Sequence, residues 1–285
     1  MKNIEKFGFI ILILAVIISS CKKNNLVIGK DIEPPSFVKF NRLLATDTMK
    51  TYYINSAGNP FKLVVGLTTI ADKDRTISFT YTSNTAVQGA QFNAPASIVI
   101  PAGKALDTLA FSGLFAGYTS TAKIDTVKIT ISGGDVPASP YYSTYYLILR
   151  KYCDVVLPSL AGTYANTNEY NSDGTFSYGP YTTVVKNLVA TGTTTATGTI
   201  ENLYNDGWND INFTLDWTNP ASFKVTIPTQ LTGKSYSGAP TSVKTSTTVK
   251  STFSSCDNSF TISVDLVNLS TSTTVSSAYK FVLKL

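Results

Sequence analysis

The chain has 285 residues, a formal charge of +5 and no histidine, and only 14% of its residues are charged. Without imidazole it lacks the commonest general base and metal ligand near neutral pH, which excludes Ser–His–Asp and Cys–His hydrolysis. Its basic residues form no block longer than Lys22-Lys23, so it carries no electrostatic footprint for nucleic acid.

In chain order, a cationic start, Met1-Lys2-Asn3-Ile4-Glu5-Lys6, leads into an apolar run from Phe7 to Ile18 and then Ser19-Ser20-Cys21. The run holds 12 residues, against ~20 for a helix that spans a bilayer. An ordinary secretory peptide would end in an Ala-x-Ala-like site, whereas here a cysteine stands at the cut. The stretch resembles a bacterial lipoprotein signal, which implies a signal peptide over 1–20, a lipidated Cys21 and a membrane partner held through that lipid. Several acyl chains hold stably where a single one is marginal. Loss of two lysines and one glutamate with the signal takes the charge from +5 to +4. Residues 21–35, ending in Pro34-Pro35, read as a tether that stiffens at its far end. Two of the three cysteines then remain, Cys153 and Cys256, and in an oxidising compartment they are the expected disulfide pair. The alternative is two free buried thiols.

From Ser36 the composition turns to Thr, Ser, Val, Ile and Tyr, which suit pleated, half-buried surfaces. Short runs follow at regular spacing: 37–40, 51–54, 61–65, 77–81, 97–100, 106–111, 124–131 and 145–149. That count and spacing predict an immunoglobulin-like sandwich over 36–151. Gly89-Ala90-Gln91-Phe92, followed by Ile98-Val99-Ile100-Pro101-Ala102-Gly103, is similar to the Calx-β-like modules at the front of Bacteroidota surface lipoproteins. Some members of that family bind calcium through acidic loops. Here Asp72 and Asp74, split by Lys73 and followed by Arg75, offer too few oxygens for such a cation, so no metal is expected.

Residues 152–285 predict a second module, an antiparallel meander closing into a barrel or sandwich. Its Leu160-Ala161-Gly162-Thr163-Tyr164 opening resembles the C-terminal β-modules of the same lipoproteins and, more distantly, lipocalins. Asn171 to Gly174 is a turn between strand formers. Ile211-Asn212-Phe213-Thr214-Leu215-Asp216-Trp217 alternates apolar and polar residues, which puts Trp217 in the core. Alternation returns at 223–227, 260–266 and 281–285.

The fold expected is therefore all-β throughout. Only Glu33, Glu169 and Glu201 remain as glutamates beyond the signal, and no paired carboxylates stand out for glycoside hydrolysis. No catalytic residue, cofactor or enzyme activity is expected. The stretch closest to a site is Tyr204, Asn205, Asp206, Trp208, Asn209 and Asp210, where an exposed ring among amides and carboxylates would suit a sugar. The competing reading turns the chain at Asn205-Asp206-Gly207 and folds Trp208 into the core. Tyr170, Phe176, Tyr178 and Tyr181 offer a second aromatic surface, or cross-strand hairpin pairs. Asp47-Thr48-Met49, Asp107-Thr108-Leu109 and Asp125-Thr126-Val127 match a short O-glycosylation pattern of exported Bacteroidota proteins.

These features together point to a lipid-anchored outer-membrane protein, facing outward or into the periplasm, that captures polysaccharide beside outer-membrane uptake proteins. An adhesin is the alternative, followed by a lipocalin-like carrier and a hydrolase.

Overall fold

The computed structural model describes residues 35–285 apart from Ser237, so the signal, Cys21 and nearly all of the tether lie outside the described residues. The first nine strands are β1 (Val38–Phe40), β2 (Met49–Ile54), β3 (Phe61–Leu67), β4 (Arg75–Thr82), β5 (Phe92–Asn93), β6 (Ser97–Ile100), β7 (Leu106–Gly113), β8 (Ile124–Gly134) and β9 (Thr144–Lys151). They form two sheets in the orders β1-β3-β7-β5 and β2-β9-β8-β4-β6. All named pairs are antiparallel except β2 with β9. Alternation decides what each strand buries: in β8, Val127, Ile129 and Ile131 face the core while Thr126 and Lys128 face water. Phe40, Ile54, Leu109, Phe111 and Leu147 fill the space between the sheets.

The Gly-x-x-Phe step forms a strand that the spacing of apolar runs did not predict. Gly89 adopts φ +86°, its N–H donates to Phe92 O, and the Phe92 ring stacks on Phe111 at 4.8 Å. The Ile-Pro-Ala-Gly turn is held from the acidic loop: Ala102 N–H donates to Asp74 Oδ1 at 2.8 Å, and Gly103 N–H donates to Ala71 O. Asp74 thus shapes a turn. Among the described residues no group of three acidic, His or Cys side chains gathers as a metal site. Thr48, Thr108 and Thr126 of the three tripeptides are all exposed.

After a short helix, α1 (Leu157–Leu160), come β10 (Gly162–Tyr170), β11 (Phe176–Ala190), β12 (Thr195–Glu201), β13 (Ile211–Asp216), β14 (Lys224–Thr226), β15 (Gln230–Tyr236), β16 (Ala239–Thr245), β17 (Thr252–Ser254), β18 (Ser259–Asn268) and β19 (Thr274–Leu283). Pairing runs β10-β11-β12-β13-β14-β17-β18-β19 and returns from β19 to β10, closing an eight-stranded antiparallel barrel. The β15–β16 hairpin extends the wall on the side of β18 that β17 also uses, β17 pairing with residues 259–261 and β16 with 264–268, and its Val243 joins the core. A barrel of eight strands has an interior that side chains can fill. Tyr164, Phe213, Phe260, Ile262 and Phe281 fill this one, each no more than 1% exposed. Trp217 falls just past the end of β13 and is only half-buried, its ring set edge-on to Phe253, because alternation lapses where the strand stops.

Cys153 and Cys256 form a disulfide that ties the chain leaving β9 to the β17–β18 turn. This turn and the β11–β12 and β13–β14 connections lie at the end of the barrel where the chain enters. The β10–β11, β12–β13 and β18–β19 connections lie at the opposite end.

Asp265 is a buried acid of β18, 5% exposed. Burial pushes its carboxyl up, but donors from Ala278 N–H, Ser246 and Thr247 N–H, with Lys244 nearby, outweigh that and hold it below the ordinary carboxylate value. A group depressed in the fold contributes its stability above the unfolded carboxyl's pKa and loses it as pH falls through the folded value. Asp265→Asn should therefore destabilise the barrel at neutral pH and flatten the acid limb of its stability curve. Urea midpoints between pH 2 and pH 7 check this; parallel curves for the two proteins would refute it.

Candidate functional site

At the end of the barrel away from Cys256, a pocket of about 290 Å³ is lined by Glu169, Ser177, Tyr178, Tyr204, Asn205, Asp206 and Tyr279. Three barrel elements and one long connection converge there. Glu169 comes from the end of β10, Ser177 and Tyr178 from the start of β11, and Tyr279 from β19. Tyr204, Asn205 and Asp206 come from the β12–β13 connection, which turns at Gly207 with φ +74°.

Packing beneath the pocket sets its shape. Trp208 is 6% exposed, and its ring lies 5.0 Å from that of Tyr204 and 6.2 Å from that of Phe281. Its Nε1–H donates to Tyr236 Oη at 2.8 Å, and Tyr236 in turn donates to Asp206 Oδ2 at 2.9 Å. The exposed tryptophan platform is therefore corrected: the ring folds inward and supports Tyr204 from below. Its single polar atom found a partner at Tyr236, so burial left nothing unsatisfied. Tyr204 also meets the ring of Tyr279 edge-on at 5.9 Å.

Glu169 sits at the base, 2% exposed. Its Oε2 accepts from Tyr279 Oη at 2.6 Å, and Tyr279 Oη also meets Ser177 Oγ at 2.8 Å. Its Oε1 has no hydrogen-bond partner. Tyr181 adjoins the same carboxylate but gives its proton to Leu203 O at 2.6 Å. At the rim, Asn205 Nδ2 donates to the hydroxyl of Tyr178, which is 52% exposed.

Burial first, and then the neighbouring carboxylates, push the tyrosines up. Tyr279 and Tyr181 rise through burial and Glu169, and Tyr204 through burial, Glu169 and Asp206. Tyr236 is pushed up to about 12 by burial and Asp206, against a lowering contribution from Trp208. These hydroxyls therefore stay protonated at neutral pH and serve as hydrogen-bond donors.

The six residues singled out in the sequence are divided by the fold. Tyr204, Asn205 and Asp206 line the pocket, and Trp208 lies under it. Asn209 packs against Gly233 of β15, and Asp210 pairs with Lys186 Nζ at 3.0 Å. Neither of these two lines the pocket, because the connection has turned away by then. Glu169, Ser177 and Tyr279 join the site from distant positions in the chain.

No family model and no curated protein matches the chain. Among solved structures, it is similar to a candidate carbohydrate-binding protein from Bacteroides ovatus ATCC 8483, at 11% identity over 80% of this chain and 67% of that one, with a TM-score of 0.32. A multidomain protein including DUF1735 from Bacteroides ovatus matches at 12% identity over 87% and 92%, with a TM-score of 0.31. The apo-form Calx CBD1 domain matches at 11% over 41% and 98%, with a TM-score of 0.32. With scores and identities this low, neither ligand nor activity transfers from them to the chain.

Proposed function

We propose that the chain is a non-catalytic capture protein that holds a glycan in the tyrosine-lined mouth of its barrel. The observation that carries this is a barrel-mouth pocket made of tyrosine rings and short polar side chains, with Tyr279 held in place by the buried carboxylate of Glu169. Barrel mouths are common ligand sites, and at about 290 Å³ this one lies at the small end of the usual ~300–1,000 Å³ range. It suits a single sugar ring. A pyranose offers an apolar face for the Tyr178 or Tyr204 ring, and its hydroxyls suit Ser177, Asn205 and Asp206. Buried side chains such as Phe213, Phe260 and Phe281 in the barrel interior favour capture at the mouth over a lipocalin-like carrier.

In the same reading, Cys21 carries lipid, the protein sits at the outer membrane, and captured glycan passes to uptake proteins beside it. The adhesin alternative rests on the other module, where Leu43 and Tyr141 are 94% and 82% exposed.

The test is affinity gel electrophoresis of the chain from residue 22 onward against plant, algal and host polysaccharides. Retardation by at least one glycan is expected, abolished by Tyr178→Ala with the melting temperature retained, and by Tyr204→Ala, which also loosens the packing on Trp208 and Phe281. If no glycan in the panel retards the protein, or both variants bind as the parent does, the capture reading fails.

A further inference from the structure

The pocket is one-sided in charge. Two of its seven lining residues are carboxylates, Glu169 and Asp206, and none is a lysine or arginine. Each carboxylate spends one oxygen on a tyrosine hydroxyl, Glu169 on Tyr279 and Asp206 on Tyr236. Neither takes part in any salt bridge among the described residues. Lys234 reaches Gly207, next to Asp206 in the chain, but does not line the pocket. Lys186, the cation that pairs with this connection, is engaged with Glu201 and Asp210 instead.

The rings of Tyr178, Tyr204 and Tyr279 line the same recess as these carboxylates, and a phenol ring presents a negative face. A cation above such a ring is attracted by its quadrupole, more strongly where water is partly excluded. A carboxylate or sulfate on the ligand would instead face two like charges in a recess of lowered dielectric. A neutral hydroxyl could satisfy Asp206 but would leave the charge of Glu169 without a counterion. A ligand ammonium answers both.

We propose that the glycan captured here carries an unacetylated amino group, whose ammonium docks among the rings of Tyr178, Tyr204 and Tyr279 between Asp206 and the buried Glu169. This rests on the capture reading above and narrows it to glycans built from free amino sugars, while excluding uronic and sulfated ones. Asp206, which is exposed, makes the direct ion pair. Glu169 lies at the floor, its Oε1 shielded from solvent, and acts through its field and through the Tyr279 hydroxyl that it holds in place.

The experiment is isothermal titration of the full chain in mild detergent with three hexasaccharides of similar length. One is β-1,4-linked glucosamine, the second its fully N-acetylated form, and the third the neutral glucose oligomer. The glucosamine oligomer should bind about tenfold or more tightly than either of the others. Asp206→Asn and Glu169→Gln should each remove most of that preference, and rising salt should weaken glucosamine binding alone. Asp206→Asn changes an exposed side chain and keeps the test valid if Glu169→Gln fails to fold.

Equal or tighter binding of the acetylated or neutral oligomer overturns the ammonium assignment and leaves glycan capture standing. So does a preference that survives Asp206→Asn. If none of the three binds while another glycan retards the protein in gels, only the ammonium assignment is lost. If no glycan binds in either assay, both are.

Discussion

Replacing Cys153 and Cys256 by serine should lower the stability of the barrel by up to about 4.7 kcal/mol, the chain-entropy value for a loop of about a hundred residues. The bond joins positions 103 apart, and the loop it closes contains every barrel strand except β18 and β19. Ser255 Oγ donates to Cys153 O at 2.6 Å, and the Tyr152 ring meets Phe223 edge-on at 5.8 Å. In the unfolded chain the bond is a large restriction. Calorimetry should show the barrel's transition falling by up to roughly 15 °C in the double variant or on reduction. The transition of the sandwich, whose core contains neither cysteine, should stay in place. A barrel transition unmoved by both treatments would mean that the closure is set elsewhere.

Trp208→Ala should cost about 3–5 kcal/mol, as for other buried large aromatics, and should also remove glycan binding. The two losses have one origin. The ring fills the space between Tyr204 and Phe281, and its Nε1–H anchors Tyr236, which in turn holds Asp206. Truncation would open a cavity and release two pocket residues together. Trp208→Phe keeps most of the packing and should cost less, with about 1 kcal/mol of its loss from the missing hydrogen bond. Guanidinium midpoints for both variants, beside Asp206→Asn, separate support from contact. Asp206→Asn should leave the midpoint nearly unchanged and still weaken binding. If Trp208→Ala left stability intact, the ring could not be the support described.

Much of the architecture could be read in the sequence because its strands alternate cleanly. Residues 211–216 and 127–131 show this, although Ile124 is exposed and Asp125 buried at the start of β8, and the Asn171–Gly174 turn falls between β10 and β11 as the turn residues imply. The site was legible only in part, because a bulge hides its key residue. Counting by twos from the buried Tyr164 would turn Asn166, Asn168 and Tyr170 inward. Instead the β10–β11 register slips between Tyr164 and Thr167, so Thr167 and Glu169 face the interior. One extra residue reverses the parity of every side chain that follows. Alternation therefore makes Glu169 look like a surface residue until the pairing is known. Tyr279 was hidden by the same device, since β19 has a register shift opposite Asp265 and a positive φ at Ala278. The tripeptide Tyr204-Asn205-Asp206 was visible because a turn signal and an aromatic residue adjoin in sequence.

Ring closure also governs how copies of the protein behave when packed side by side. An open sheet edge invites a neighbour's strand. Among the described residues the barrel strands pair around the ring, and β15, which has one strand partner, is broken by a register shift and by Gly233 at φ +80° and already takes Asn209 N–H on Thr232 O. The sandwich ends its sheets in β1, β5, β2 and β6, strands of 3, 2, 6 and 4 residues. Such short or distorted borders give little purchase for strand exchange between copies of the protein.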